Sequence, residues 1–530
     1  MSSITIETSV YNLGDMEMAK RIFAIPETLV VAVGPPTCIR ILYFRALECG
    51  QLSKLKLVPI RALDYTFGNY LEKIKGVVEA ALRKACYQGI ILYVSCPDLL
   101  SQTDFDTMIE GLDNPHQIPV EIFKRGPMEK RKTSPSQRLD KIAAKIADFV
   151  KTRPLVLSKN AAVCELPPLA ADYTGVLSLF PDDEAVCQFL MTGSGCANCP
   201  SSIDKLNHNP FIFSRFNDLQ AVNGCTNEIG EAITKRFQMN HQTKDIELFL
   251  SIGTPVTFMT GMNDHFLQTC DLFEMTCAID TNGFQTAEEG VAKALLKIAK
   301  ATLKKVENRK KRLNIIGYNP FLFGKRQHFD EIETCLTSLG YAVNFLGYES
   351  LGSFKTAAEA ELNLVFSRHG LSLAKWMAEM FEIPYHFAMP IGIDGFNQWL
   401  RAVGTLLKTV IPESYYLNKE PQPCPAFRVL LLGENEILDQ LEAAIPNDFG
   451  IITIRANKIT DQELQQMTVT HVIADPLYQN KINRITEKFQ FIPMPYPCLS
   501  GNVFIELDYQ YMGQTGYAYL KRFFSKKMTV

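Results

Sequence analysis

Three cysteines of this chain stand where an apolar run breaks on glycine or proline. Residues 28–38 read Thr-Leu-Val-Val-Ala-Val-Gly-Pro-Pro-Thr-Cys and end on Cys38. Residues 89–99 read Gly-Ile-Ile-Leu-Tyr-Val-Ser-Cys-Pro-Asp-Leu and carry Cys96. Residues 186–196 read Val-Cys-Gln-Phe-Leu-Met-Thr-Gly-Ser-Gly-Cys and end on Cys196. A fourth such stretch, residues 247–256, carries Thr254 at the matching place. Cys38 to Cys96 and Cys196 to Thr254 both span 58 positions, and a proline, Pro97 or Pro255, follows each time. The match reads as an internal duplication of one α/β unit, its copies presenting cysteines to a shared site.

Thiolates at strand ends beside Gly and Pro, where backbone N–H groups can face a ligand, suit soft metals. Four of them suit an iron–sulfur cluster, whose sulfurs accept hydrogen bonds from those amides. Zinc more typically uses paired Cys-x-x-Cys knuckles, and only one pair exists, Cys196-Ala-Asn-Cys199. The competing reading of any one cysteine is a small residue at a tight turn. Equal spacing weighs against that reading for Cys38 and Cys96. Cys49, Cys86, Cys270, Cys277 and Cys335 lie in helix-like contexts and read as buried core.

The elements that must position these residues alternate strand and helix. A strand at 28–33, a helical pattern at 39–49, a strand at 55–58, an amphipathic stretch at 70–86, a strand at 89–95 and a strand at 120–123 predict a mainly parallel sheet. The same plan returns after residue 155. The fold class is α/β, with several Rossmann-like, doubly wound parallel-sheet domains. The expected division is an N-terminal segment (1–25), a first copy (26–125), a basic connector and helix (126–154), a second copy (155–308), and third (312–415) and fourth (426–530) Rossmann-like domains.

The chain has 530 residues, 47% of them hydrophobic and 21% charged, with net charge −3. That balance suits several apolar cores and gives no case for a nucleic-acid or membrane-surface role. No apolar run approaches a membrane span, and residues 1–15 are polar, so a cytoplasmic protein is expected. Fourteen cysteines in a reducing compartment point to thiol or metal chemistry rather than disulfides. No Gly-x-Gly-x-x-Gly follows the 428–433 strand, and no Walker A loop or flavin signature is present. The chain therefore needs an external electron donor for any redox role.

With these residues in view, the chain resembles component 1 of the nitrogenase-like oxidoreductases, among them the molybdenum–iron protein subunits, the protochlorophyllide reductases and a tetrapyrrole reductive cyclase. Gly34-Pro35-Pro36-Thr37-Cys38 is similar to the family's Gly-Pro-x-x-Cys. Ser95-Cys96-Pro97-Asp98-Leu99-Leu100 with the later Asp104 is similar to its Cys-Pro-x-x-(Leu/Ile)-x-Gly-Asp-Asp turn, with Gln102-Thr103 in place of Gly-Asp. Cys164-Glu165-Leu166-Pro167-Pro168-Leu169 resembles its Cys-x-Pro-x-Gly-Ala stretch, Leu169 being out of pattern. Gly193-Ser194-Gly195-Cys196 resembles its second cluster-ligand turn. Thr254 occupies the third ligand position of that copy, where a ligand is missing.

The resemblance implies one extra first domain fused ahead of a complete subunit. It implies Cys38, Cys96, Cys164 and Cys196 as ligands of one [4Fe–4S] cluster, with Cys199 in reserve. It also implies an ATP-dependent iron protein as electron donor, and a second component 1 subunit or a homodimer as a further partner. Family enzymes hold a metallocofactor or tetrapyrrole among their domains. His369, at a strand mouth in the third domain, and Cys498 are candidate ligands for such a group. No catalytic residue is assigned. Two functions follow: a catalytic redox component, or a non-catalytic scaffold for assembly or transfer of a cluster or metallocofactor.

Overall fold

The continuous apolar runs of the sequence become the central strands of four sheets. The computed structural model describes residues 4–9, 15–124, 133–152, 166–193, 195–204, 211–240, 246–264, 266–267, 272–419, 427–479, 482–483, 489–494 and 510–524. The chain divides into two compact units, residues 1–177 with 184–290, and residues 178–183 with 291–530.

In the first unit the opening strand β1 (Thr5–Thr8) is followed by β2 (Thr28–Gly34), β3 (Leu55–Pro59), β4 (Gly89–Val94) and β5 (Val120–Lys124). Strands β2–β5 form a parallel sheet in the order β3-β2-β4-β5. Every residue of β2 and β4 is buried. Helices cover both faces, which is why these strands read as unbroken apolar runs. Ile39, Leu42 and Tyr43 of the Pro36–Glu48 helix pack with Val30, Ala32 and Ile91 on one face. Ile74, Val78 and Leu82 of the Tyr70–Lys84 helix pack with Val31, Val33 and Leu92 on the other. The alternation along β2 divides its side chains between the two layers.

The second sheet repeats the plan with β6 (Val186–Leu190), β7 (Ile212–Arg215), β8 (Leu248–Ile252) and β9 (Met275–Ile279), in the order β1-β7-β6-β8-β9. Its strands are parallel except β1, which lies antiparallel along β7 with Thr5 opposite Arg215. Nothing in the short, polar Thr-Ile-Glu-Thr run suggests this edge strand. In both sheets the chain reverses direction of travel after the second strand. The switch points lie between β2 and β4 and between β6 and β8, where doubly wound folds bind their ligands.

The second unit holds β10 (Arg312–Ile316), β11 (Ala342–Phe345), β12 (Leu362–Val365) and β13 (Tyr385–Phe387), in the order β11-β10-β12-β13. Then follow β14 (Arg428–Leu432), β15 (Ile452–Ala456), β16 (His471–Ala474) and β17 (Gln490–Pro493), in the order β15-β14-β16-β17. Both sheets are wholly parallel. A single apolar cluster containing Trp399, Phe366, Leu431 and Ile445 joins them.

The expectation of helix-core cysteines holds for Cys335, buried in the Asp330–Ser338 helix. Cys277 is buried in strand β9 instead. Cys49 caps a helix and Cys86 follows one, both half-buried. Cys270 lies outside the described residues. Among the described residues no helix is long and apolar enough to cross a membrane.

Candidate metal centre

Strand β2 ends on Gly34 at φ +140°, a backbone region open mainly to glycine, and a Cβ there would run into the Ser95 side chain. Pro35 and Pro36 then start a helix, and Cys38 sits in its first turn, donating its backbone N–H to the Pro35 carbonyl at 2.9 Å. Strand β4 ends just before Ser95, which caps the short Cys96–Leu100 helix in a capping box. The Ser95 N–H and Oγ donate to Asp98 Oδ2 at 3.0 and 2.5 Å, and the Tyr65 hydroxyl donates to Asp98 Oδ1 at 2.6 Å. Asp98 is fully buried, and burial raises its pKa. The Ser-Cys-Pro-Asp spacing is a capping signature legible in sequence. The Tyr65 bond, from 33 residues away, is not.

In the second half, Cys196 lies in the turn beyond β6. Burial pushes its thiol up, while the hydroxyls of Thr192 and Thr254 and the Val256 N–H pull it down. Thr254 caps the Pro255–Thr260 helix, donates its N–H to the Thr257 hydroxyl oxygen at 2.8 Å, and donates its own hydroxyl to the Met191 carbonyl at 3.0 Å. The caps show that the counterpart of Thr254 is Ser95, not Cys96. Equal spacing therefore matches the two copies one residue out of register at this turn. The second copy's loop after β8 offers no thiol, only Pro255 where the first copy has Cys96.

The two halves meet through equivalent elements. The Cys96–Leu100 helix packs on the Pro255–Thr260 helix, and the Cys38 helix packs on a π-helical turn, Cys199–Ile203. Cys96 and Cys196 pack against one apolar cluster with Phe189, Met191 and Val256. Cross-half polar contacts reinforce the junction. The Thr37 and Tyr173 hydroxyls are 2.6 Å apart, and Arg40 Nη2 donates to Asp204 at 3.0 Å with both side chains fully buried. Arg40 also donates to the Pro168 carbonyl. No local signal in the sequence pairs Arg40 with Asp204, 164 positions away.

Four thiols gather at this junction. Burial raises the Cys38 thiol, and Cys196, Cys96, Asp98 and Cys199 raise it further by electrostatic repulsion. Cys199 is likewise pushed up by burial and by Asp204. Such thiols stay protonated near neutral pH and make poor nucleophiles. The same thiols would be held as thiolates if cationic iron were bound to them. Among the described residues no three of His, Cys, Asp and Glu come together tightly enough to hold a single metal ion. An all-sulfur ligand set surrounded by N–H and O–H donors is the donor chemistry that a four-iron cluster takes. Cys164, the expected fourth ligand, lies outside the described residues.

His369 is buried in a 3-10 turn beyond β12, with Nε2 at 2.9 Å from Ser367 Oγ. Ser367 donates its only hydroxyl proton to the Gly317 carbonyl at 2.7 Å, so the ring N–H is the donor to Ser367. Cys498 lies outside the described residues.

Residues 258–426 match the family model described as nitrogenase component 1 type oxidoreductase. One of the light-independent protochlorophyllide reductase subunits of Chlorobium luteolum is 31% identical over 101 residues, 18% of this chain and 19% of that protein. Its counterpart from Tetradesmus obliquus is 30% identical over 107 residues, 20% of each chain. The chain thus spans about a fifth of the length of these curated relatives. A solved structure of nitrogenase Cp1 at pH 6.5 superposes with a TM-score of 0.53, covering 70% of this chain and 95% of its own, at 14% identity. That likeness speaks to the fold alone.

Proposed function

We propose, starting from a chain that is nitrogenase component 1-like in family and fold, that it is the cluster-bearing component of a redox enzyme and takes electrons from an ATP-dependent iron protein to reduce a substrate. The observation that carries this reading is the convergence of Cys38, Cys96 and Cys196 from the switch points of two paired sheets. These are three of the four cysteines that the resemblance implies as ligands; Cys164, the other, lies outside the described residues. When bound, a 4Fe–4S cluster carries one electron at a time at low potential. The residues around it have separable tasks. The Val256 N–H offers a hydrogen bond to the Cys196 sulfur, and the apolar cluster against Cys96 and Cys196 keeps water away.

Support for a docking face comes from large exposed apolar side chains on equivalent helices of the two halves. Leu63 and Phe67 belong to the Ala62–Phe67 helix after β3, and Leu219 and Val222 to the Asp218–Asn223 helix after β7. Tyr65 of the first helix packs on Phe284, which in turn packs on Phe258. Exposed patches of this kind mark interaction surfaces. Stopped-flow mixing of this chain with a reduced, ATP-loaded iron protein tests the function. ATP-dependent oxidation of the donor, slowed by added salt if charges steer the encounter and absent with ADP, is expected. No transfer from any candidate donor to a chain with an intact cluster would favour the scaffold reading.

A further inference from the structure

We propose that Cys199 is a ligand of the same cluster, and that Cys38, Cys96, Cys196 and Cys199 form the complete thiolate set. This rests on the cluster reading above.

Without Cys199 the strand-end turns of the two copies contribute unequally. The first offers a thiol after each of its two inner strands, Cys38 after β2 and Cys96 after β4. The second offers Cys196 after β6 and only Thr254 and Pro255 after β8. Cys199 restores the balance at two thiols from each copy, both of the second copy's coming from one turn. Its spacing from Cys196 is Cys-x-x-Cys, by which one turn can reach two irons.

The backbone around Cys199 is unusual. It opens a π-helical turn in which the Asp204 N–H donates to the Cys199 carbonyl at 3.0 Å, five residues back. Single π turns are rare and concentrate at functional sites. The turn packs against the Cys38 helix, and the Thr37 hydroxyl, one residue before Cys38, reaches the Cys199 sulfur. The sulfur is thus directed to the same helix turn that carries Cys38.

The side-chain surroundings also exceed what core packing requires. Cys199 belongs to the first copy's apolar cluster. Yet beside it stand a fully buried guanidinium and carboxylate, Arg40 and Asp204, and the Thr37–Tyr173 hydroxyl pair. Burying an ion pair gives a fold little net stability. A small apolar residue at position 199 would have no use for these groups. A metal-bound thiolate does, since Arg40 and Thr37 supply positive charge and a donor to its sulfur.

The test is a panel of single variants of the full chain, purified without oxygen: Cys199→Ala, Cys164→Ala and Cys38→Ala. Iron, acid-labile sulfide and the electron paramagnetic resonance of the dithionite-reduced protein are measured for each. Cys199→Ala and Cys38→Ala are expected to lose at least half of the iron or to convert to a three-iron signal, while Cys164→Ala keeps the parent spectrum. Parent-level iron and an unchanged spectrum in Cys199→Ala, with loss in Cys38→Ala, would overturn the assignment and leave the cluster reading standing. Retention in both Cys38→Ala and Cys199→Ala would overturn both. Cys199→Val fills the site without offering a ligand. Whichever of the two Cys199 variants melts with the iron-free parent is the one read.

Discussion

Burial acts with one sign on the thiols of the first unit and the opposite sign on two histidines of the second. Cys38, Cys196 and Cys199 are pushed up, because a buried thiolate lacks solvent. His386 and His471 are held below the ordinary imidazole value, because a buried imidazolium lacks it too. His471 is fully buried between the rings of Phe427 and Phe524, with Nδ1 at 2.8 Å from the Thr470 hydroxyl. Unfolding returns both histidines to about 6.5, so the unfolded chain binds protons that the folded unit refuses. Their contribution is complete above that value and is lost as pH falls toward the lowered folded values. The second unit's melting transition is expected to drop between about pH 7.5 and 5.5, a window set around the free imidazole value, and the drop should shrink in His471→Gln. A transition that does not move over that range would contradict the assignment. Cys38, Cys96 and Cys196 were legible from strand-end turns. Thr37, Arg40, Tyr173 and Asp204 were not, because each acquires its role from a partner 136 or 164 positions away.

Elements are where the duplication is most visible and where its limits show. The apolar runs at 28–33, 89–95 and 428–433 declared central strands, and all three are central strands. Periodicity does not reach the caps. A one-residue difference in how β4 and β8 hand over to their helices places Cys96 inside a helix and Thr254 at its cap. Strand β1 is silent in sequence because four mostly polar residues pairing with one edge strand carry no alternation to read. The second half is also locked by two reciprocal glycines. A Cβ on Gly175 would strike the Ala287 backbone, and a Cβ on Gly290 would strike the Asp172 backbone. That crossing holds Asp172, whose carboxylate accepts the N–H groups of Asn282 and Gly283 at 2.9 and 2.8 Å. Gly175→Ala is expected to cost the first unit at least about 1–3 kcal/mol, since backbone rather than a side-chain tip must yield. Denaturant unfolding measures it, and a change under about 0.5 kcal/mol, the range of an ordinary surface substitution, would mean that the helices part freely.

At the scale of the whole molecule, one chain carries in its first unit two sheets that meet through like elements, and it carries a further pair of sheets in a second unit. The arrangement in the first unit gathers thiols that a single Rossmann-like domain, with one switch point, would leave as an isolated pair. That the chain builds several parallel-strand sheets was legible from repeated strand–helix alternation. Which thiols meet was legible only in part, since facing requires two copies to pack and no periodicity encodes that. Zinc content, iron content and acid-labile sulfide of the protein purified without oxygen, read together with its paramagnetic resonance after dithionite reduction, bear on this most directly. About four iron and four sulfide per chain, with the signal of a reduced cluster, are expected of a single 4Fe–4S site. Zinc without sulfide, or neither metal in a folded protein reconstituted with iron and sulfide, would contradict it.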